Sequence, residues 1–270
     1  MPAPIRDAAA PESGGASRRP WDAVVSVAVV ATSVPLLWVA ARRLPLVAVA
    51  IAAGLLVLVL VSVVSRRAEV TVVSVTAAVV TWWVLLAGVS LWPAPLVTAA
   101  VVASLVGRRI FGASATSWLR WGHIDRVVIA LSVMTVMATG AVLYEWAVWT
   151  TPDGGPYLTT LRSEPLAVAL LGVLAFSLVN SACEEAVYRG VFQHALTVRF
   201  GVIAAIVAQA AAFGVLHSSG FPSGLGGIAL AAIYGGFLGV LRYRSGGLAV
   251  PYVVHVFADI IIGLIVVTVL

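Results

Sequence analysis

The chain is a succession of long apolar runs broken by short clusters of Arg, Pro, Gly and Ser. The runs fall near 22–41, 44–64, 70–91, 94–107, 127–149, 166–190, 202–218, 224–241 and 247–269. Most approach the roughly 20 residues that a helix needs to cross a bilayer. Backbone groups in lipid must be satisfied within their own segment, and the alternation of a barrel strand is absent, so the runs predict helices. The expected fold is all-α, a polytopic transmembrane bundle with eight or nine membrane helices. The count turns on the short fourth run, which follows Trp92-Pro93-Ala94-Pro95 and reads as a re-entrant piece, a half-span or the end of a kinked helix.

Polar positions divide the chain unevenly. The apolar runs within residues 1–107 contain no acid, His, Asn or Gln, apart from the flanking Asp22. Nearly all the buried polarity falls in the later runs. Three regions are expected: a disordered tail over 1–20, a transmembrane scaffold over 21–126, and a core over 127–270 that carries the chemistry. The scaffold ends in an interfacial segment, where Trp118 and Trp121 beside Arg120 and Arg126 suit the headgroup level. His194, near Gln193 and Arg199, is expected to be solvated. Gly235 and Gly239 form a small-xxx-small pair that lets two helices approach closely.

Composition agrees with this pattern. The chain is 61% hydrophobic and 10% charged, with a mean hydropathy of +1.08, which excludes an ordinary soluble domain. The net charge of +5 comes from arginine alone, because there is no lysine. The arginines cluster at the ends of apolar runs and read as topology signals, so no nucleic-acid partner is expected. Their balance places the N-terminus in the cytoplasm, with Arg42, Arg43 and Arg162 on the far side. Arginine without lysine, with abundant Ala and Val, suggests a GC-rich bacterial genome and hence a bacterial plasma membrane. The single cysteine, Cys183, excludes an internal disulfide and a Cys-based zinc cluster.

The candidate chemistry starts at Glu184-Glu185-Ala186-Val187-Tyr188-Arg189. Acids are costly in a membrane span, and an intramembrane carboxylate pair is a functional-site hypothesis. Glu184 lies 17 residues before Gly201, a helix break, and His217 lies 16 residues after it. Each is therefore about 25 Å from the turn, at equal depth in an antiparallel hairpin. Glu185 and Arg189 are spaced to pair. Glu184 points about 100° away from Glu185, which gives the two acids different tasks. Gln209, Phe213 and His217 share one helix face, as do Tyr252, His255 and Asp259.

Peptide hydrolysis needs an activated water, a proton for the leaving amine and a stabilised oxyanion. A glutamate among apolar residues can serve as base and then as acid, and histidines can hold the water or donate to the oxyanion. The same set, Glu184, His217, His255 and Asp259, could instead bind a divalent metal such as zinc.

Glu184-Glu185-x-x-x-Arg189, Phe213-x-x-x-His217 and His255-x-x-x-Asp259 together resemble the three motifs of the CPBP family. That family comprises type II CAAX prenyl endopeptidases and bacteriocin-processing or immunity (Abi) proteins. The resemblance covers roughly residues 165–270. It implies that Glu184 activates water with His217 beside it, that Glu185 and Arg189 complete the first motif, and that His255 and Asp259 bind or polarise the reacting centre. It also implies a peptide or membrane-protein substrate, in a setting of membrane lipid. Members are described both as metalloproteases and as metal-free glutamate enzymes, and these residues fit either. Two other functional classes compete: a non-catalytic scaffold or bacteriocin-immunity protein that keeps the motifs as structure, and a proton-relaying transporter.

Overall fold

The computed structural model describes residues 45–87, 93–150, 152, 160–161, 163–218 and 221–270. The tail expected over 1–20, the first apolar run, Arg42, Arg43 and Arg162 lie outside the described residues. Among those described, every regular element is helical. Helix α1 spans Pro45–Val64, α2 Ala68–Ala87, α3 Ala94–Phe111, α4 Arg126–Thr150 and α5 Leu166–Glu185. The last continues through a π-helical segment, Ala186–Phe192, into α6, Gln193–Phe200. Then come α7 Val202–Leu216, α8 Gly224–Ser245 and α9 Ala249–Thr268.

Five helical stretches are long and apolar enough to cross a membrane: Ala94–Thr116, Arg126–Thr150, Leu166–Phe200, Gly224–Ser245 and Ala249–Thr268. Three more, Val49–Val64, Ala68–Trp83 and Val202–Leu216, are apolar but shorter. By this measure the described residues hold five spans rather than eight or nine. The fourth run is no half-span: Pro95 sits at the start of α3, where its missing N–H costs nothing, and α3 extends to Phe111. Helix α2 begins two residues earlier than expected, which places Glu69 in its first turn.

Helices α1, α2 and α3 pack in sequence, and the inner faces of α2 and α3 meet the π-helical segment. One apolar core runs through Leu55, Val73, Leu96, Tyr188, Phe192 and Phe213, so the front helices back directly onto the polar half. Helix α7 lies along α8, and α9 packs against α5 and α4. Gly201 makes the α6–α7 turn with a φ of 82°, a conformation that glycine adopts without penalty.

The segment between α3 and α4 departs from the interfacial expectation. Trp121 is exposed, but Trp118 is buried against Gly190. His194 is also not simply solvated: its Nε2 lies 3.0 Å from Ser117 Oγ. Backbone bonds from His123 N to Ser245 O (2.8 Å) and from Leu248 N to Arg120 O (2.7 Å) tie this segment to the α8–α9 turn. The arginines of both connections therefore gather at one end of the bundle.

Candidate active site

Hydrophobic packing brings three helices to one point. Arg189 and Phe213 each lie 12 residues from Gly201, and the guanidinium carbon sits 4.5 Å from the centre of the Phe213 ring. The hairpin register that the sequence predicts is thus present, and cation–π contact adds to it. One turn beyond Phe213, His217 ends α7, its ring 4.7 Å from that of Phe213. Phe213 is also 5.8 Å from the His255 ring on α9, so it forms the apolar wall between the two histidines.

His255 is the hub. Its Nδ1 is 2.8 Å from Glu185 Oε1. Its Nε2 is 3.5 Å from Glu184 Oε2 and 3.7 Å from Asp259 Oδ1. Arg189 Nη1 lies 3.0 Å from Glu185 Oε1, a close ion pair whose angle misses hydrogen-bond alignment. Three carboxylates therefore surround one guanidinium and one imidazole, nearly dry. Glu184 and Glu185 have different neighbours, as their angular separation requires. Glu185 is taken up by Arg189 and His255, whereas no hydrogen bond engages Glu184 among the described residues.

A seam of amides docks α8 behind the cluster. Gln209 Nε2 donates to Gly235 O at 2.8 Å, and Gln193 Nε2 donates to Gly239 O at 2.9 Å. Arg189 Nη2 reaches the same Gly235 carbonyl at 3.4 Å. A Cβ at 239 would lie 2.7 Å from Gln209 Nε2 and would push that amide off the Gly235 carbonyl. The small-xxx-small pair thus admits polar side chains as well as a neighbouring backbone.

His217 is only half-buried, while Glu184, Glu185, Arg189 and His255 are each 4% exposed or less. Its Nδ1 sits 3.0 Å from the Phe213 carbonyl, which can only accept. Nδ1 therefore carries the proton, and in the neutral ring Nε2 is left as an acceptor. No ion pair joins His217 to either glutamate among the described residues. Tyr252 does not join the cluster; its hydroxyl donates to Leu178 O at 3.4 Å.

Two residues that the sequence did not single out touch the site. Ser181 Oγ donates to Asp259 Oδ2 at 3.0 Å. The Tyr234 ring stands edge-on to His255 at 5.6 Å. Ser181 was findable, because it lies one helical turn before Glu185. Tyr234 was not, because its approach depends on how α8 packs against α9.

Among the described residues, no three His, Cys, Asp or Glu side chains are disposed to hold a metal ion. Glu184 and Asp259 stand beside His255 Nε2 at 3.5 and 3.7 Å, and His217 keeps its Nε2 open, but these groups do not close to ligand distances around one point. The set Glu184, His217, His255 and Asp259 does not fit a zinc site as placed, and no step below passes through a metal.

Residues 166–261 match the family model described as type II CAAX prenyl endopeptidase Rce1-like. All three motifs lie inside that span. Through this region the chain is similar to the CPBP family. That likeness points to a protease in general, and the five long apolar helices point to a membrane protein. No curated protein and no solved structure matches the chain.

Proposed function

We propose that this protein is a CPBP-type intramembrane endopeptidase that hydrolyses a peptide bond in a membrane-associated peptide or protein, with Glu184 as the water-activating base. The observation that carries this reading is the division of labour around His255. Glu185 is held by Arg189 and His255, and Glu184 alone keeps a carboxylate free of hydrogen bonds beside the ring.

In this mechanism water enters past the half-buried His217, whose Nε2 accepts one of its O–H bonds. Glu184 takes the other proton as the water oxygen attacks the carbonyl carbon of the substrate. The doubly protonated His255 ring, gripped by Glu185 at Nδ1, presents Nε2–H to the developing oxyanion. The C–N bond then breaks, and the proton held by Glu184 passes to the leaving amine. The products are a carboxylic acid, which keeps the second water proton, and an amine, and Glu184 is restored. Asp259 and Arg189 keep His255 and Glu185 in place. The arginine-rich end faces the cytoplasm of a bacterial plasma membrane in this reading.

The test uses purified protein in liposomes with two quenched-fluorescent peptides, one a farnesylated CAAX peptide and one a single transmembrane segment. Cleavage of at least one, lost in Glu184→Gln without loss of folding, supports the proposal. If neither peptide is cut by the wild type, or Glu184→Gln cuts as well as the wild type, the motifs are structural and a scaffold role replaces the enzymatic one.

A further inference from the structure

Asn180, Ser181, Glu184 and Glu185 occupy two successive turns on one face of α5. His255 and Asp259 occupy two successive turns of α9. The helices run antiparallel, and the turns match in chemistry. Asn180 Nδ2 and Ser181 Oγ donate to Asp259 Oδ2 at 3.1 and 3.0 Å. One turn on, the carboxylates of Glu184 and Glu185 meet the ring nitrogens of His255. A slip of one turn would set Asp259 against two glutamates, acceptor against acceptor.

We infer that Asn180 and Ser181 are positioning residues that act through Asp259 on His255. This rests on the hydrolase reading above. With Oδ2 occupied by two donors, Asp259 turns its other oxygen toward His255 Nε2, at 3.7 Å. The ring is then bracketed, with Glu185 at one nitrogen and Asp259 oriented toward the other. Both donors are nearly dry, Asn180 being 6% exposed and Ser181 fully buried. Hydrogen bonds to a charged group in such surroundings are among the stronger ones. Loss of either donor frees the carboxylate to rotate and loosens the ring that faces the reacting carbonyl.

The experiment measures kcat and KM on whichever of the two peptides the wild type cleaves. Ser181→Ala and Asn180→Leu are each expected to lower kcat roughly tenfold or more, with KM changed less than about threefold. Ser181→Thr, which keeps the hydroxyl, is expected to recover most of the loss. In an Asp259→Ala background the same two substitutions should lower kcat by less than about twofold further, because their route to His255 is already gone. Unfolding midpoints separate this from simple helix glue, which lowers stability in both backgrounds and leaves kcat of the folded protein unchanged. If kcat is unmoved by the single substitutions, or if the losses recur in full on Asp259→Ala, the inference is overturned. An inactive wild type would instead strike at the hydrolase reading itself.

Discussion

Replacing Arg189 with Met tests how the cluster is held together. Arg189 is fully buried, with Nη1 at 3.0 Å from Glu185 Oε1. At an effective dielectric of about 20, that separation corresponds to roughly 5.5 kcal/mol of attraction before desolvation is counted. Breaking a buried pair on one side costs about 3–5 kcal/mol, because the remaining charge is left uncompensated. His255 holds the same oxygen at 2.8 Å, so the low end, about 3 kcal/mol, is expected for Arg189→Met. Methionine keeps an apolar contact with the Phe213 ring, which limits the loss of packing. The assay is chemical unfolding in detergent micelles of wild type, Arg189→Met, Glu185→Gln and the double variant. Removing both charges should recover much of the loss, giving a coupling of at least about 2 kcal/mol. A coupling below about 0.5 kcal/mol would show that the pair is not the element that stabilises the two acids, and the electrostatic account would fail.

Other outcomes follow from the packing and the donor geometry. Gly239→Ala should lower the unfolding midpoint, since the new Cβ would lie 2.7 Å from Gln209 Nε2, whereas Gly236→Ala, with nothing within 4 Å, should be neutral or gain up to about 1 kcal/mol of helix propensity. Gly190→Ala would place a Cβ 2.5 Å from the Trp118 ring and should cost about 1–3 kcal/mol by thermal unfolding; combined with Trp118→Leu, the total cost should fall below the sum of the two. Peptide cleavage should survive exhaustive chelation with EDTA and 1,10-phenanthroline, because no three metal-ligating side chains converge among the described residues. Loss on chelation with restoration by one specific metal would mean that the helices close further than this structure shows.

Much of this arrangement was legible in the sequence, because it follows from helix geometry. Gly201 announces the hairpin turn, and equal spacing on either side of it places Arg189 beside Phe213. The i, i+4 rule correctly pairs Glu185 with Arg189. Features that depend on how helices dock were not legible. Trp118 beside arginines reads as an interfacial anchor, yet it fills the space above Gly190 and is 4% exposed. The π-helical turn after Glu185 has no composition signature, although such turns recur at functional sites. His255 as the hub of three carboxylates emerges only once α9 is laid against α5. The same holds for the placing of those carboxylates, Glu185 at Nδ1 and both Glu184 and Asp259 beside Nε2.

The central claim is that Glu184 on α5 and His255 on α9 work as one catalytic unit. The most direct test is a double-mutant cycle on cleavage, comparing Glu184→Gln, His255→Ala and the double variant in single-turnover reactions with a shared folding control. Groups that act together are strongly non-additive. The account predicts that the double variant loses no more than about tenfold beyond the more damaging single substitution. Independent losses that multiply, or a His255→Ala protein that cleaves at the wild-type rate, would contradict it.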